Sequence, residues 1–172
     1  MFLVLTYMRF IRPLFRFQHH WLWAVFVVAP VSALAATANF GNFQLSPGFE
    51  PNQGIGVGYT GGTYSLSAIT NHDRLNNVCL GFATPTPDHI IVLQKDFSAL
   101  SIKINSNGND TTLMMRGPND NDIWCGDDTG SSKDASIDAT NLKAGTYQVW
   151  VGSFKSGLKF NYNISVQQPQ KK

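Results

Sequence analysis

The 172-residue sequence contains one glutamate, Glu50, two cysteines and four histidines. Each shortage narrows the chemistry available. With a single glutamate, the carboxylate pair of a glycoside hydrolase would have to come from aspartates, and these sit in loops that look like turns. No C-x-x-C occurs, and His72 and His89 stand alone, which argues against a thiolate or imidazole metal centre. The serine-rich stretches, Ser65-Leu66-Ser67 and Ser131-Ser132, lack G-x-S-x-G context. A nucleophilic serine also needs a base within hydrogen-bond reach. His72, within Asn71-His72-Asp73-Arg74, reads as a loop residue, and His89, after Pro87-Asp88, as one that caps or packs at a strand start. Helical periodicity is missing as well, and without helix-length segments between strands a βαβ plan is excluded.

Long apolar runs are scarce, and the main one lies near the amino terminus. Arg9, Arg12 and Arg16 precede an almost uninterrupted apolar stretch over residues 21–31, followed by Ser32 and Ala33-Leu34-Ala35. Basic start, apolar centre and A-x-A site together make a secretory signal peptide over residues 1–35, cleaved before Ala36. Ala36-Thr37-Ala38 supplies a second register, and Met8 competes with Met1 as the true start. The competing reading is an uncleaved anchor. A spanning helix needs about 20 apolar residues, and this run falls short and contains Pro30, so contact with the membrane is expected only through the transient leader.

Removal of the leader changes the electrostatics. Lys and Arg number 13 against 11 Asp and Glu in the whole chain, but the leader takes three arginines and no acid, leaving a mature charge of −1. The basic balance therefore belongs to the leader and is no argument for nucleic acid or anionic lipid. Cys79 and Cys125 remain, and in a secreted or periplasmic protein such a pair reads as one disulfide. Closing that loop contributes about 2–4 kcal/mol.

Beyond the leader, the chain is rich in short β-branched and aromatic runs separated by Gly, Asn, Asp and Pro clusters. At about 135 residues this is one domain with room for a core. Strands are expected over residues 63–69, 78–83, 89–93, 100–104, 111–116, 123–125, 135–139, 146–151 and 158–166. The last alternates most cleanly, with Leu158, Phe160, Tyr162, Ile164 and Val166 on one face and Lys159, Asn161, Asn163 and Ser165 on the other. Residues 36–62 form a Gly-rich entry segment, 63–166 an all-β antiparallel sandwich, and 167–172 a polar tail.

Asp110-Thr111-Thr112-Leu113-Met114-Met115-Arg116-Gly117-Pro118, then Cys125-Gly126-Asp127-Asp128, then Ala144-Gly145-Thr146-Tyr147-Gln148-Val149-Trp150-Val151-Gly152 and a final alternating strand resemble the pre-peptidase C-terminal domain family. The resemblance is good over about the last 60 residues and looser back to Cys79. It implies a jelly-roll-like sandwich, generally non-catalytic, of a kind appended to secreted hydrolases and in some members binding calcium or extracellular polymers. No protease domain accompanies it in this sequence.

Two constellations are candidate sites. Asn119, Asp120, Asn121, Asp122, Asp127, Asp128 and Asp134 crowd one stretch, and calcium takes six to eight oxygens of this kind. Asp120, Asp122, Asp127 and Asp128 are the expected ligands if an ion binds, with Asp127 and Asp128 first. EF-hand spacing is absent, however, and Asp and Asn also build turns on their own account, which is the favoured reading. Among the aromatics, Trp124, Trp150, Tyr147, Phe154 and Tyr162 either form a flat ligand platform or fill the core. Trp150 has opposite parity to Tyr147, Val149 and Val151, so a sandwich would turn it to solvent as a contact residue, with Trp124 second. The function expected is an exported, non-catalytic binding or accessory module, with an extracellular polymer or protein as partner. The alternatives are a small secreted hydrolase and an envelope interaction protein.

Overall fold

The computed structural model describes residues 37–169. The expected leader, its cleavage site and both candidate start residues lie outside these bounds, as does the end of the polar tail. Turn-forming clusters divide the described chain into twelve strands: β1 (Gly41–Leu45), β2 (Ile55–Tyr59), β3 (Tyr64–Ser65), β4 (Phe82–Ala83), β5 (His89–Leu93), β6 (Phe97–Asn105), β7 (Thr111–Arg116), β8 (Ile123–Gly126), β9 (Asp128–Thr129), β10 (Ser132–Leu142), β11 (Gly145–Ser153) and β12 (Asn161–Gln167). Short 3-10 turns occupy Pro51–Gly54 and Leu66–Ala68.

The strands make an all-β sandwich. One sheet runs β2-β12-β6-β10-β9, antiparallel throughout. The other has seven strands centred on β11, which pairs with β5 as far as Val149 on one side and with β7 on the other. β8 extends β7, β4 meets β11 at Ser153, and β3 joins β4. One pair departs from the antiparallel pattern: β1 lies parallel to β5 at the sheet edge.

The core between the sheets follows from alternation. Tyr162, Ile164 and Val166 of β12 face Leu45, Ile91, Leu113, Val149 and Val151 of the opposite sheet, all buried. Leu158 is an exception to its expected place on that face, being exposed ahead of the strand. Within the Gly-rich entry segment, β1 and β2 become edge strands of the two sheets. The segment 63–69 is strand only over Tyr64–Ser65 before turning 3-10, and 78–83 only over Phe82–Ala83.

Those two segments have another task. With the loop between them they form an arm laid across the outer face of the seven-stranded sheet. Under it lies a second apolar cluster of Leu66, Cys79, Ala83, Met114, Ile123, Cys125 and Trp150. The disulfide between Cys79 and Cys125 is present and ties the arm to β8. Thr111 through Met115 of β7 are consequently buried without interruption, as expected of a strand covered on both faces. The same cover corrects the expectation for Trp150. Its parity is opposite to Val149 and Val151, as expected, but the face it points to is occupied by the arm, and it is buried with its Nε1 donating to the Pro85 carbonyl at 3.3 Å.

Candidate functional site

The aspartates crowded in the sequence separate in space. Residues 119–122 close a turn in which the Asp122 amide donates to the Asn119 carbonyl and the Asn119 side chain donates to Asp122. Asp122 faces Arg74 at 3.4 Å, while Asp120, largely in solvent, pairs with Arg116 at 2.9 Å. Asp122 is held within the turn and Asp120 by Arg116, and neither joins the cluster around Asp127 and Asp128, which corrects the expected ligand set. Asp134 is committed elsewhere, accepting from the Ser106 amide and hydroxyl and from the Gly108 amide to hold the turn after β6. Burial alone would raise its pKa, but these hydrogen bonds outweigh burial and lower it.

Asp127 and Asp128 meet a different partner, Asp110. One carboxylate oxygen from each of the three lies within 4.8 Å of the others. Opposite oxygens on a calcium ion are separated by about 4.8 Å, twice the bond length of about 2.4 Å, so the set has the dimensions to share one ion. Topology brings them together. Asp110 stands just before β7, and Asp127 occupies the corner where the chain leaves β8 for β9 in the other sheet. That corner is tight, because a Cβ at Gly126 would overlap the Ser136 carbonyl.

The electrostatics favour a cation. Burial and then the charges of Asp128 and Asp110 push the Asp127 carboxyl above its usual range. Its Oδ1 is buried without a hydrogen-bond partner among the described residues. Lys133 partly offsets this charge by pairing with Asp110 at 3.0 Å. Three carboxylates would supply part of a calcium shell, with carbonyls or water for the rest. Sequence spacing singles out Asp127 and Asp128 but gives no sign of Asp110, which is brought close only by the pairing of β7 with β8.

Beside the cluster opens a cleft of about 430 Å³ bordered by Asp127, Asp128 and Asp138 on one side and Leu75, Val78 and Leu80 on the other. All three apolar residues are exposed. Trp124 lines the cleft yet is itself buried, stacked under the Arg74 guanidinium at 5.1 Å and close to Tyr147. The apolar rim is shaped by Asp73, a residue whose role the sequence does not announce. Its Oδ1 accepts from the Leu75 and Asn77 amides, both at 2.8 Å, and its Oδ2 from the Asn77 side chain and the Cys125 amide, both at 3.0 Å. Burial opposes its charge, but the hydrogen bonds outweigh it and hold the pKa low. His72 lies in the same loop and is exposed.

The other described histidine sits deep in the sandwich. His89 Nε2 is 3.0 Å from the Tyr162 hydroxyl, and its Nδ1 has no partner among the described residues. Burial pushes its pKa down to about 4, so it is neutral at ordinary pH. Neighbouring Asp88 accepts from the Val151 amide at 2.8 Å and from Asn39 at 3.0 Å. It serves Val151 where β5 has ceased to pair with β11, and burial raises its carboxyl to about 6 despite these bonds.

No protein-family model matches the chain, and no curated protein matches it. Among solved structures the chain is similar to the pre-peptidase C-terminal domain of a collagenase from Bacillus anthracis, the same family as the sequence resemblance. The likeness has a TM-score of 0.39 and 16% identity over 73% of this chain and 94% of that one. It is also similar to CorA, a surface-associated copper-binding protein of Methylomicrobium album BG8, with a TM-score of 0.42 and 9% identity over 77% of this chain and 100% of that one.

Proposed function

We propose that this protein is an exported, non-catalytic β-sandwich module that binds calcium through Asp110, Asp127 and Asp128 and receives an extracellular polymer or protein partner in the adjoining cleft. The observation that carries the proposal is the meeting of three carboxylates at Asp127, one oxygen of which is buried without a partner among the described residues. An aspartate held in that position is costly as an anion without a counter-charge, and a divalent cation supplies one. The disulfide supports work in an oxidising compartment. The cleft supports a binding role, because its apolar rim and acidic wall lie side by side.

Calcium titration of the mature chain, read by calorimetry and by melting temperature, tests the reading. A ligand that binds only the folded state adds about 2.7 kcal/mol of stability at a hundred times its dissociation constant. Millimolar calcium should therefore raise the melting temperature, and Asp127→Asn should abolish the rise without unfolding the protein. An unchanged melting temperature in millimolar calcium, with no heat of binding, would remove the cation site.

A further inference from the structure

Sheets that end in open strands are protected in recognisable ways: short edges, charged side chains, prolines or bulges. Four edges of this sandwich follow those rules. β3 and β9 are two residues long, and β9 begins with Asp128. β8 is bounded by Asp122 and Asp127, and the outward side chains of β1 are the polar Asn42 and Gln44. β2 is different. It ends the five-stranded sheet, pairs among the described residues only with β12, and presents Ile55, Val57 and Tyr59 to solvent at 52%, 64% and 44% exposure. Residues 51–71 carry no charge, and Glu50 is the only charged residue between 36 and 71.

The register shows which backbone groups are free. The Thr60 amide donates to the Phe160 carbonyl. Alternation along an antiparallel pair then directs Gly58 and Gly56 toward β12, opposite Tyr162 and Ile164, and turns the amides and carbonyls of Ile55, Val57 and Tyr59 outward. The glycines serve the interior: a Cβ at Gly56 would stand 2.8 Å from the Phe43 ring. Free edge groups and apolar side chains thus belong to the same three residues.

We propose that β2 pairs antiparallel with β2 of a second copy of this chain, extending the five-stranded sheet across a two-fold axis. Symmetry of this kind sets each residue against a fixed partner. Val57 meets Val57 of the second copy, while Ile55 and Tyr59 meet the other copy's Tyr59 and Ile55. The choice of a second copy rests on charge. Self-pairing places every charge near its own duplicate, and this strand and its flanks have none to repel. Lys159 reaches the Tyr59 ring at 3.7 Å, so the nearest positive charge rests on an aromatic face.

The test is sedimentation of the mature chain across a concentration series, with calcium chelated so that the result does not depend on the cation site. Concentration-dependent dimerisation is expected. Val57→Lys and Val57→Glu should each weaken it by about a hundredfold, since like charges would face each other across the axis. At a concentration where the wild type is monomeric, both variants should keep its melting temperature, because in the single chain the side chain is in solvent. An equimolar mixture of the two should restore the dimer, a result that requires residue 57 to face itself. The proposal is overturned if the wild type stays monomeric at its highest soluble concentration, if either variant dimerises as the wild type does, or if the mixture stays monomeric.

Discussion

Asp88 and His89 are adjacent, both buried, and shifted in directions that make their acid responses oppose each other. His89, held down at about 4 in the folded protein, would titrate near 6.5 when unfolded. Between those values the unfolded state binds the extra proton, so this histidine makes stability fall as pH drops from about 6.5 to 4. Asp88, raised to about 6, binds its proton more readily when folded, so its contribution rises as pH drops from about 6 to its unfolded value near 4. Each effect is worth about 3 kcal/mol, and together they largely cancel. The melting temperature of the wild type should therefore change less over this interval than that of a variant lacking either group. Asp88→Asn should unmask a fall toward pH 4, and His89→Gln a rise, both readable in a series of thermal melts. Asp73 acts at the same scale with the ordinary sign: its lowered pKa gives stability that is lost as pH falls below about 4. Of these environments only the packing of His89 at a strand start is legible in the sequence; a lone Asp has no periodicity to betray its burial. Asp110 escapes for a related reason, because its partners are gathered by strand pairing and not by spacing.

At the level of elements, sequence and structure agree on where β12, β7 and β5 run. β12 shows period two, and the β-branched and apolar runs of β7 and β5, with their bounding turns, place those strands within a residue or two. They disagree over what covers those strands. Uninterrupted burial along β7 from Thr111 to Met115, and along β11 from Val149 to Ser153, requires something on the outer face, and the arm that provides it is built from short strands and turns with weak periodicity. Reading residues 63–69 and 78–83 as regular strands leaves that face open and sends Trp150 to solvent. Buried as it is, Trp150→Ala should cost about 3–5 kcal/mol, seen as a lower denaturant midpoint with little change in calcium binding. A ligand-contact role would produce the opposite pattern, weakened binding at unchanged stability.

For the molecule as a whole, two hydrophobic clusters of unequal standing lie on either side of one sheet. The larger is enclosed by both sheets. The smaller is closed by the arm, and the arm is clasped by a single covalent link at Cys79–Cys125. Mild reduction should therefore release the arm before the sandwich unfolds, shifting tryptophan emission to the red while the far-ultraviolet signature of strands persists; simultaneous loss of both signals would show one cooperative unit. In a chain exported as proposed, the clasp would also act as a check on location. A chain still in a reducing compartment would lack it and would display Leu66, Met114 and Trp150 as an uncovered greasy surface, the kind of flag that chaperones and proteases read. Under the proposed export, oxidation would hide that flag, so the cysteine pair would separate chains that have arrived from those that have not.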